Sequence, residues 1–292
     1  MPPGHCAGMI TEQVQQLISM ALAEDTGAGD LTAQCFVPAD RKARAEIRAN
    51  ESGIIAGTEV AVAVFHTLDP KLKTEVVRGD GSHVERGDVV ITITGPAQSI
   101  LTAERTALNF LQRLSGIATQ TRRYADAVAG TGTQILDTRK TTPGWRSLEK
   151  MAVRAGGGTN HRTGLYDMVM VKDNHLQSAG SLPELRAGID LARQKQPGVK
   201  VEIEADTIAQ VRDFLTLRGV DIIMLDNMSP GEMRECVALA RGSGVKLEAS
   251  GGVTFERLPE IAATGVDYIS SGSLTHSVKA LDLSLDFEGT AL

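Results

Sequence analysis

Aromatic side chains are scarce in this chain: Phe, Trp and Tyr together make up 3% of 292 residues. That argues against a binder of single-stranded nucleic acid, which stacks bases on aromatic platforms. A surplus of positive charge is missing too. The formal net charge is -6, whereas a duplex binder needs a broad basic face. No apolar run approaches the ~20 residues that a membrane-spanning helix requires. The opening MPPGHCAGMI has no charged segment followed by an apolar one, so no secretory signal is expected. Cysteines are few and odd in number, and Cys6, Cys35 and Cys236 form no CxxC. They read as reduced thiols of a cytoplasmic protein, with spacing that does not suggest a metal site. Hydrophobic content of 42% and charged content of 23% describe an ordinary globular protein, long enough for one large domain or two modest ones.

Against that acidic background one stretch stands out, DTRKTTPGWRSLEKMAVRAGGGTNHR at 137–162. From Arg139 to Arg162 it gathers six Lys or Arg and a single acid, Glu149. A local concentration of cations inside an acidic chain points to an anionic ligand.

Periodicity divides the chain into two textures. KARAEIRAN at 42–50 alternates in polarity, TEVAVAVFHTL has helical spacing, and LKTEVVRGDGSHVERGDVVITITGPA is β-rich and broken by glycines. This part reads as an α+β domain on antiparallel strands. A helix is expected through LTAERTALNFLQRLSG, with Thr102 as N-cap and Leu108, Leu111 and Leu114 as its apolar stripe. Beyond residue 130, short apolar strands recur at 133–137, 168–172, 199–204, 221–226, 245–249 and 266–270. Amphipathic segments near 145–155, 182–195, 207–217, 231–241 and 254–263 fill most of the gaps. Strand and helix in alternation imply parallel βαβ units, and six such strands favour a barrel over an open doubly wound sheet.

Ligand sites on parallel α/β folds form at the C-terminal ends of strands. Those ends carry Asp137-Thr-Arg139-Lys140, Lys172-Asp173-Asn174-His175, Glu202 and Glu204, Asp226-Asn227, Ser250-Gly251-Gly252 and Ser270-Ser271-Gly272. Taken singly, each has an ordinary reading as a solvated charge, a helix cap or a tight turn; Asp226, for instance, is as readily a cap for the helix after Ser229-Pro230. Their coincidence at six strand ends is the informative fact. Glu202 and Glu204 share one strand face. A Ser-Gly-Gly turn before a helix N-terminus offers backbone N–H groups to an anion. Two carboxylates near a diphosphate imply Mg²⁺. Arg139, Arg162, Lys140 and Lys172 exceed what one phosphate needs, and arginine forks suit carboxylates. The residues thus describe group transfer between a phosphorylated sugar diphosphate and an organic acid.

DTRKTTPGWR, GGGTNHR, VMVKDNH, VEIE, MLDN, EASGG and ISSGSLTHS, in that order, resemble the quinolinate phosphoribosyltransferase family. The similarity extends from GDLTA at 29–33 through ERTALNFLQRLSGIAT at 104–119 to the C-terminus. The resemblance implies an incomplete, open α/β barrel over 117–274 and an N-terminal α/β sandwich domain over 1–116, completed by about 275–292. It implies phosphoribosyl transfer from phosphoribosyl pyrophosphate to quinolinate with decarboxylation, giving nicotinate mononucleotide, CO₂ and pyrophosphate in de novo NAD biosynthesis, with Mg²⁺. It also implies a cytoplasmic homodimer or higher homo-oligomer with a shared active site. Carried over by position, Arg139, His161 and Arg162 hold the quinolinate carboxylates, and Lys140 and Lys172 lie between the two substrates. Arg105 reaches in from the partner subunit. Glu204, preferred over Glu202, and Asp226 face the ribose hydroxyls and the Mg²⁺ shell through water. Ser250, Gly251, Gly252 and Gly272, with Ser271 alongside, receive the 5′-phosphate. The catalytic set is Lys140, Lys172, Glu204 and Asp226.

Three other readings differ in what they require. A nicotinate-specific transferase has one substrate carboxylate, for which Arg105, Arg139, His161 and Arg162 are more cation than needed. A lipoyl- or biotin-type carrier is suggested by the shape of GSHVERGDVVITITG at 81–95, yet no lysine lies between Lys73 and Lys140. A non-catalytic phosphosugar-binding barrel predicts affinity without pyrophosphate release.

Overall fold

The computed structural model describes residues 10–288. The chain separates into two compact units, one running through Gln120 and resuming at Val278, the other Thr121–Ser277.

The first unit begins with helices α1 (Glu12–Thr26) and α2 (Leu31–Phe36), then strands β1 (Lys42–Ala49) and β2 (Gly53–Ile54). Helix α3 (Thr58–Leu68) follows, then β3 (Lys73–Val76), β4 (His83–Val84), β5 (Val89–Pro96) and the long helix α4 (Ala97–Ala127). On β1 the apolar Ala45, Ile47 and Ala49 are buried and Arg48 is half-exposed, as the polarity pattern predicts, but Glu46 is buried as well and pairs with Arg48. Ile91 and Ile93 of β5 and Val60, Val64 and Phe65 of α3 are fully buried with them. Asp80 caps α3, accepting from Gly57 N, Thr58 N and Thr58 Oγ1 at 2.7–2.9 Å.

The expected start of α4 is wrong. Thr102 is not its N-cap: the helix begins five residues earlier at Ala97, directly after Gly95-Pro96. Its hydroxyl instead donates to Asp30 Oδ2 at 3.0 Å and to Gln98 O at 2.9 Å. The apolar stripe lengthens the helix beyond the capping signal, because Ile100 and Ala103 are as buried as Leu108, Leu111 and Leu114.

The second unit places strands β6 (Gln134–Leu136), β7 (Val169–Val171), β8 (Val201–Ala205), β9 (Ile222–Asp226), β10 (Lys246–Ser250) and β11 (Tyr268–Ser270) in one parallel sheet. Between them run α5 (Arg146–Ala155), α6 (Asp173–Ala179), α7 (Leu182–Lys195), α8 (Ile208–Phe214), α9 (Pro230–Ala240), α10 (Leu258–Ala262) and α11 (Ser273–His276). Thr207 with Gln210, and Ser229 with Glu232, form capping boxes that start α8 and α9. Ser229 therefore caps α9, which leaves Asp226 free for other work.

The sheet order is β6-β11-β10-β9-β8-β7. β6 and β7 follow one another in sequence yet stand at opposite edges, so the barrel is open, as expected. The edge of β6 is not bare. Thr159 forms a parallel bridge with Leu136, its N–H donating to Ile135 O at 2.8 Å while its carbonyl accepts from Asp137 N at 3.2 Å. Finally β12 (Leu283–Phe287) returns to the first unit and pairs antiparallel with β1, giving the four-stranded order β12-β1-β5-β3.

Candidate active site

The strand ends of the second unit converge as parallel topology requires. A cavity of about 340 Å³ is lined by Arg139, Lys140, His161, Arg162, Lys172, Asp226, Ser250 and Gly251, all anticipated from sequence. Ser270, one of the expected strand-end residues, lines it too, together with Met170, Met224 and Glu248, which were not anticipated. A second hollow of about 510 Å³, by the first residues of β10 and before β11, is lined by Arg241, Lys246 and Asp267 and contains none of the expected groups.

The six cations of the 139–162 window divide into two classes. Arg139, Lys140 and Arg162 line the cavity. Lys150, Arg146 and Arg154 build its support. Lys150 is buried and ion-paired with Asp137. Arg146 donates to Thr141 Oγ1 at 3.0 Å and Thr163 O at 3.0 Å, and Arg154 donates to Asn160 Oδ1. Arg139 Nε is buried without a hydrogen-bond partner among the described residues. Arg162 is drawn toward its neutral form, first by burial and then by the charge of Arg139 nearby. Two guanidiniums lining one cavity are suited to pair with a carboxylate-bearing anion.

His161 is held from below. Its Nε2 lies 3.0 Å from Glu202 Oε2 and 3.4 Å from Glu248 Oε2, and both carboxylates are fully buried. The contacts are electrostatic rather than well-aligned hydrogen bonds, since the four carboxylate oxygens have no directional partner among the described residues. Burial lowers the imidazole pKa, but the two carboxylates outweigh it and raise it to about 10. Burial, then the neighbouring Glu248, raise the Glu202 carboxyl. Nδ1 of His161 accepts from Arg162 N at 2.7 Å, a bond open only to the neutral imidazole and so opposed to the upward pull of the two carboxylates, and it ties the ring to the backbone of the arginine that follows it. Glu202 is thus enclosed beside His161, whereas Glu204 pairs with Lys172. Glu248 was missed, although an acid between Leu247 and Ala249 in an apolar strand is the same signal as VEIE.

The opposite side of the mouth is acidic and more solvated. Lys172 Nζ donates to Glu204 Oε2 at 2.7 Å. Carboxylate oxygens of Glu204, Asp206 and Asp226 lie within 4.8 Å of one another; Asp206 was not foreseen. This all-oxygen cluster has the hardness and charge that Mg²⁺ prefers, so the residues fit the ion expected from sequence. Asp226 accepts from Asn227 Nδ2 at 2.7 Å.

The turn after β10 is built for close backbone approach. Gly251 has φ +81°, and a Cβ there would lie 2.4 Å from Asn227 Oδ1. Ser270 Oγ donates to Ser250 Oγ at 3.1 Å, tying the ends of β10 and β11. Ser271 and Ser273 share a hydroxyl contact of 2.8 Å. At Gly272 a Cβ would meet Lys140 Cδ at 2.8 Å, so the lysine stem lies against that glycine. Gly252 O accepts from Arg257 Nη1 at 3.1 Å. The helical segment expected near 254–263 is present but short, a 3-10 turn and a five-residue helix after Gly252, and a further four-residue helix follows Gly272. These turns offer an anion backbone N–H groups rather than a long helix dipole. Arg105 lies on α4 in the first unit, with its side chain 59% exposed and 3.9 Å from Glu104.

Comparison with known proteins is consistent along the chain. Residues 117–286 match the family model for the quinolinate phosphoribosyl transferase C-terminal domain, and residues 30–115 that for the N-terminal domain. A probable nicotinate-nucleotide pyrophosphorylase [carboxylating] of Bacillus subtilis is 45% identical over 94% of this chain and 93% of its own. A quinolinate phosphoribosyltransferase [decarboxylating] of Nicotiana tabacum is 44% identical over 98% of this chain and 84% of its own. The solved nicotinate-nucleotide pyrophosphorylase of Francisella tularensis superposes with a TM-score of 0.88 at 37% identity, covering 94% of this chain and 96% of that one.

Proposed function

The chain belongs to the quinolinate phosphoribosyltransferase family, and from that premise we propose how its own residues carry out the family's reaction. The enzyme transfers the phosphoribosyl group of phosphoribosyl pyrophosphate to quinolinate with decarboxylation, yielding nicotinate mononucleotide, CO₂ and pyrophosphate in NAD biosynthesis. The observation that carries the site assignment is the convergence of Arg139, Lys140, Arg162, Lys172, Asp226 and Ser250 on one cavity.

Arg139, His161 and Arg162 take the quinolinate carboxylates at the cationic side. The thioether of Met170, 3.4 Å from Arg162 Nη2, and Met224 give the pyridine ring an apolar wall. Ser250, Gly251 and Gly252, with Ser271 and Gly272, receive the 5′-phosphate through hydroxyl and backbone N–H groups. Glu204 and Asp226 accept from the ribose hydroxyls and, with Asp206, hold Mg²⁺ through water. When bound, Mg²⁺ neutralises the diphosphate. Lys140 and Lys172 stabilise negative charge on the departing pyrophosphate. The C1–O bond breaks with its electron pair on pyrophosphate, and the pyridine nitrogen lone pair forms the new bond to C1. No side-chain nucleophile is needed. The bond from C2 to its carboxylate then breaks, CO₂ leaves, the electron pair stays on C2 beside the cationic ring nitrogen that stabilises it, and a proton from water forms the new C2–H bond.

The working unit is a homodimer or larger homo-oligomer in which Arg105 enters the neighbouring subunit's site. The exposed Leu31 and Phe36 of α2 give self-association an apolar surface. The cytoplasm is its compartment, in keeping with the free thiols of Cys35 and Cys236. A turnover assay measuring CO₂ and pyrophosphate release tests the reading: both products are expected with quinolinate and neither with nicotinate. Pyrophosphate release with nicotinate at a comparable rate would overturn the specificity.

A further inference from the structure

We propose that Asp137 and Lys150 are positioning residues for quinolinate, setting the spacing between Arg139 and Arg162 although neither is placed on a substrate. The inference rests on the assignment of those two arginines to the quinolinate carboxylates.

Arg139 and Arg162 line the same cavity. The charge of Arg139 weighs on Arg162, so the two guanidiniums repel one another. They also come from different pieces of chain. Arg139 follows β6, whereas Arg162 ends the turn after Gly156-Gly157-Gly158. Something must hold those pieces together against the repulsion.

Asp137 and Lys150 do so by gripping the peptide just before Arg162 from both sides. Asp137, two residues ahead of Arg139 and fully buried, accepts from His161 N at 2.8 Å. Its other oxygen accepts from Asn160 Nδ2 at 2.5 Å. Lys150, 3% exposed on α5, pairs with Asp137 and also donates to His161 O at 2.9 Å. Asn160 Nδ2 reaches back to Lys150 O at 2.8 Å. Both the N–H and the C=O of His161 are thus claimed by one buried ion pair. Burial pushes the Asp137 carboxyl up and the Lys150 ammonium down, and each is the main opposing influence on the other. An interior pair of this kind is weak evidence of stability, since its desolvation offsets much of its attraction. Its reach to His161 gives it a second role, the geometry of the arginine pair.

A purely structural pair and a positioning pair predict different kinetics. Asp137→Asn keeps the shape of the side chain but presents an amide to the donors of Asn160 and Lys150. It is expected to raise the quinolinate KM about tenfold, the scale of a small misplacement at a binding group, and to leave the phosphoribosyl pyrophosphate KM within about twofold. Lys150→Arg, which keeps charge and donors, is expected to recover part of the quinolinate affinity lost in Lys150→Met. In the double variant Asp137→Asn/Lys150→Met no buried charge is left unpaired, so the melting temperature should rise above that of Lys150→Met. The quinolinate KM should stay high, because the thioether side chain introduced there has no donor for His161 O. A quinolinate KM that recovers together with the melting temperature would overturn the inference, as would equal increases in both KM values. Arg139→Ala in the same series separates contact from positioning. If it too fails to affect quinolinate selectively, the arginine assignment is what has failed. If it is selective while the Asp137 and Lys150 variants are not, the positioning role alone is lost.

Discussion

The two sides of the candidate pocket are built differently. On the cationic side, Arg139, His161 and Arg162 stand above the buried acids Asp137, Glu202 and Glu248, each at 0% exposure. On the acidic side, Lys172 is 46% exposed at its side chain and meets a Glu204 carboxylate near the surface, and Asp206 is exposed. Charges proposed to face a rigid planar dianion are thereby fixed in a dry framework, where orientation is set before binding. Charges proposed to face a diphosphate and a hydrated ion are more open at Lys172 and Asp206, although Glu204 itself is buried. The contrast predicts selectivity: damage on one side should fall mainly on one substrate.

Lys172→Ala and Arg105→Ala are expected to have the largest effects, each lowering turnover by about a hundredfold or more, as loss of a transition-state charge does. Mixing the two inactive proteins under conditions of subunit exchange should restore activity, read as CO₂ release. No recovery from demonstrably mixed oligomers would remove Arg105 from the shared site. Arg139→Ala comes next, with an increase of about a hundredfold in quinolinate KM and a smaller change for phosphoribosyl pyrophosphate; equal losses would erase the distinction between the two sides. Glu204→Gln is expected to act in the opposite sense, raising the phosphoribosyl pyrophosphate KM about tenfold and shifting the Mg²⁺ titration upward. An unchanged Mg²⁺ titration would count against its place in the ion's shell. Ser250→Ala should be the mildest, about a fivefold loss confined to phosphoribosyl pyrophosphate, the value of one neutral hydrogen bond.

What was legible in sequence follows the same division. The six strands of the second unit announce themselves as apolar runs because both faces of a parallel sheet are covered. Their C-terminal ends could therefore be found, and with them Arg139, Lys172, Glu204, Asp226 and Ser250. The framework beneath was not legible. Nothing local marks Lys150 as a buried partner of Asp137 or Glu248 as a neighbour of His161, since the pairing is made only when distant strands and turns meet. Within one stretch of six cations, Arg162 could be picked out for the ligand, but nothing local shows that Arg154 holds Asn160 or that Arg146 holds Thr163. Thr102 misled for a related reason. A hydroxyl ahead of an apolar stripe resembles a cap, but its partner Asp30 is 72 residues distant.

The way Thr159 covers the edge of β6 has a consequence for anyone transplanting this pocket. Thr159 occupies a place that a neighbouring strand takes in a complete cylinder, and the chain leaves it directly into His161 and Arg162. Sealing the cylinder by joining β6 to β7 would evict that segment and carry the second arginine away with it. A designer seeking this recognition on a sturdier scaffold must leave the wall one stave short.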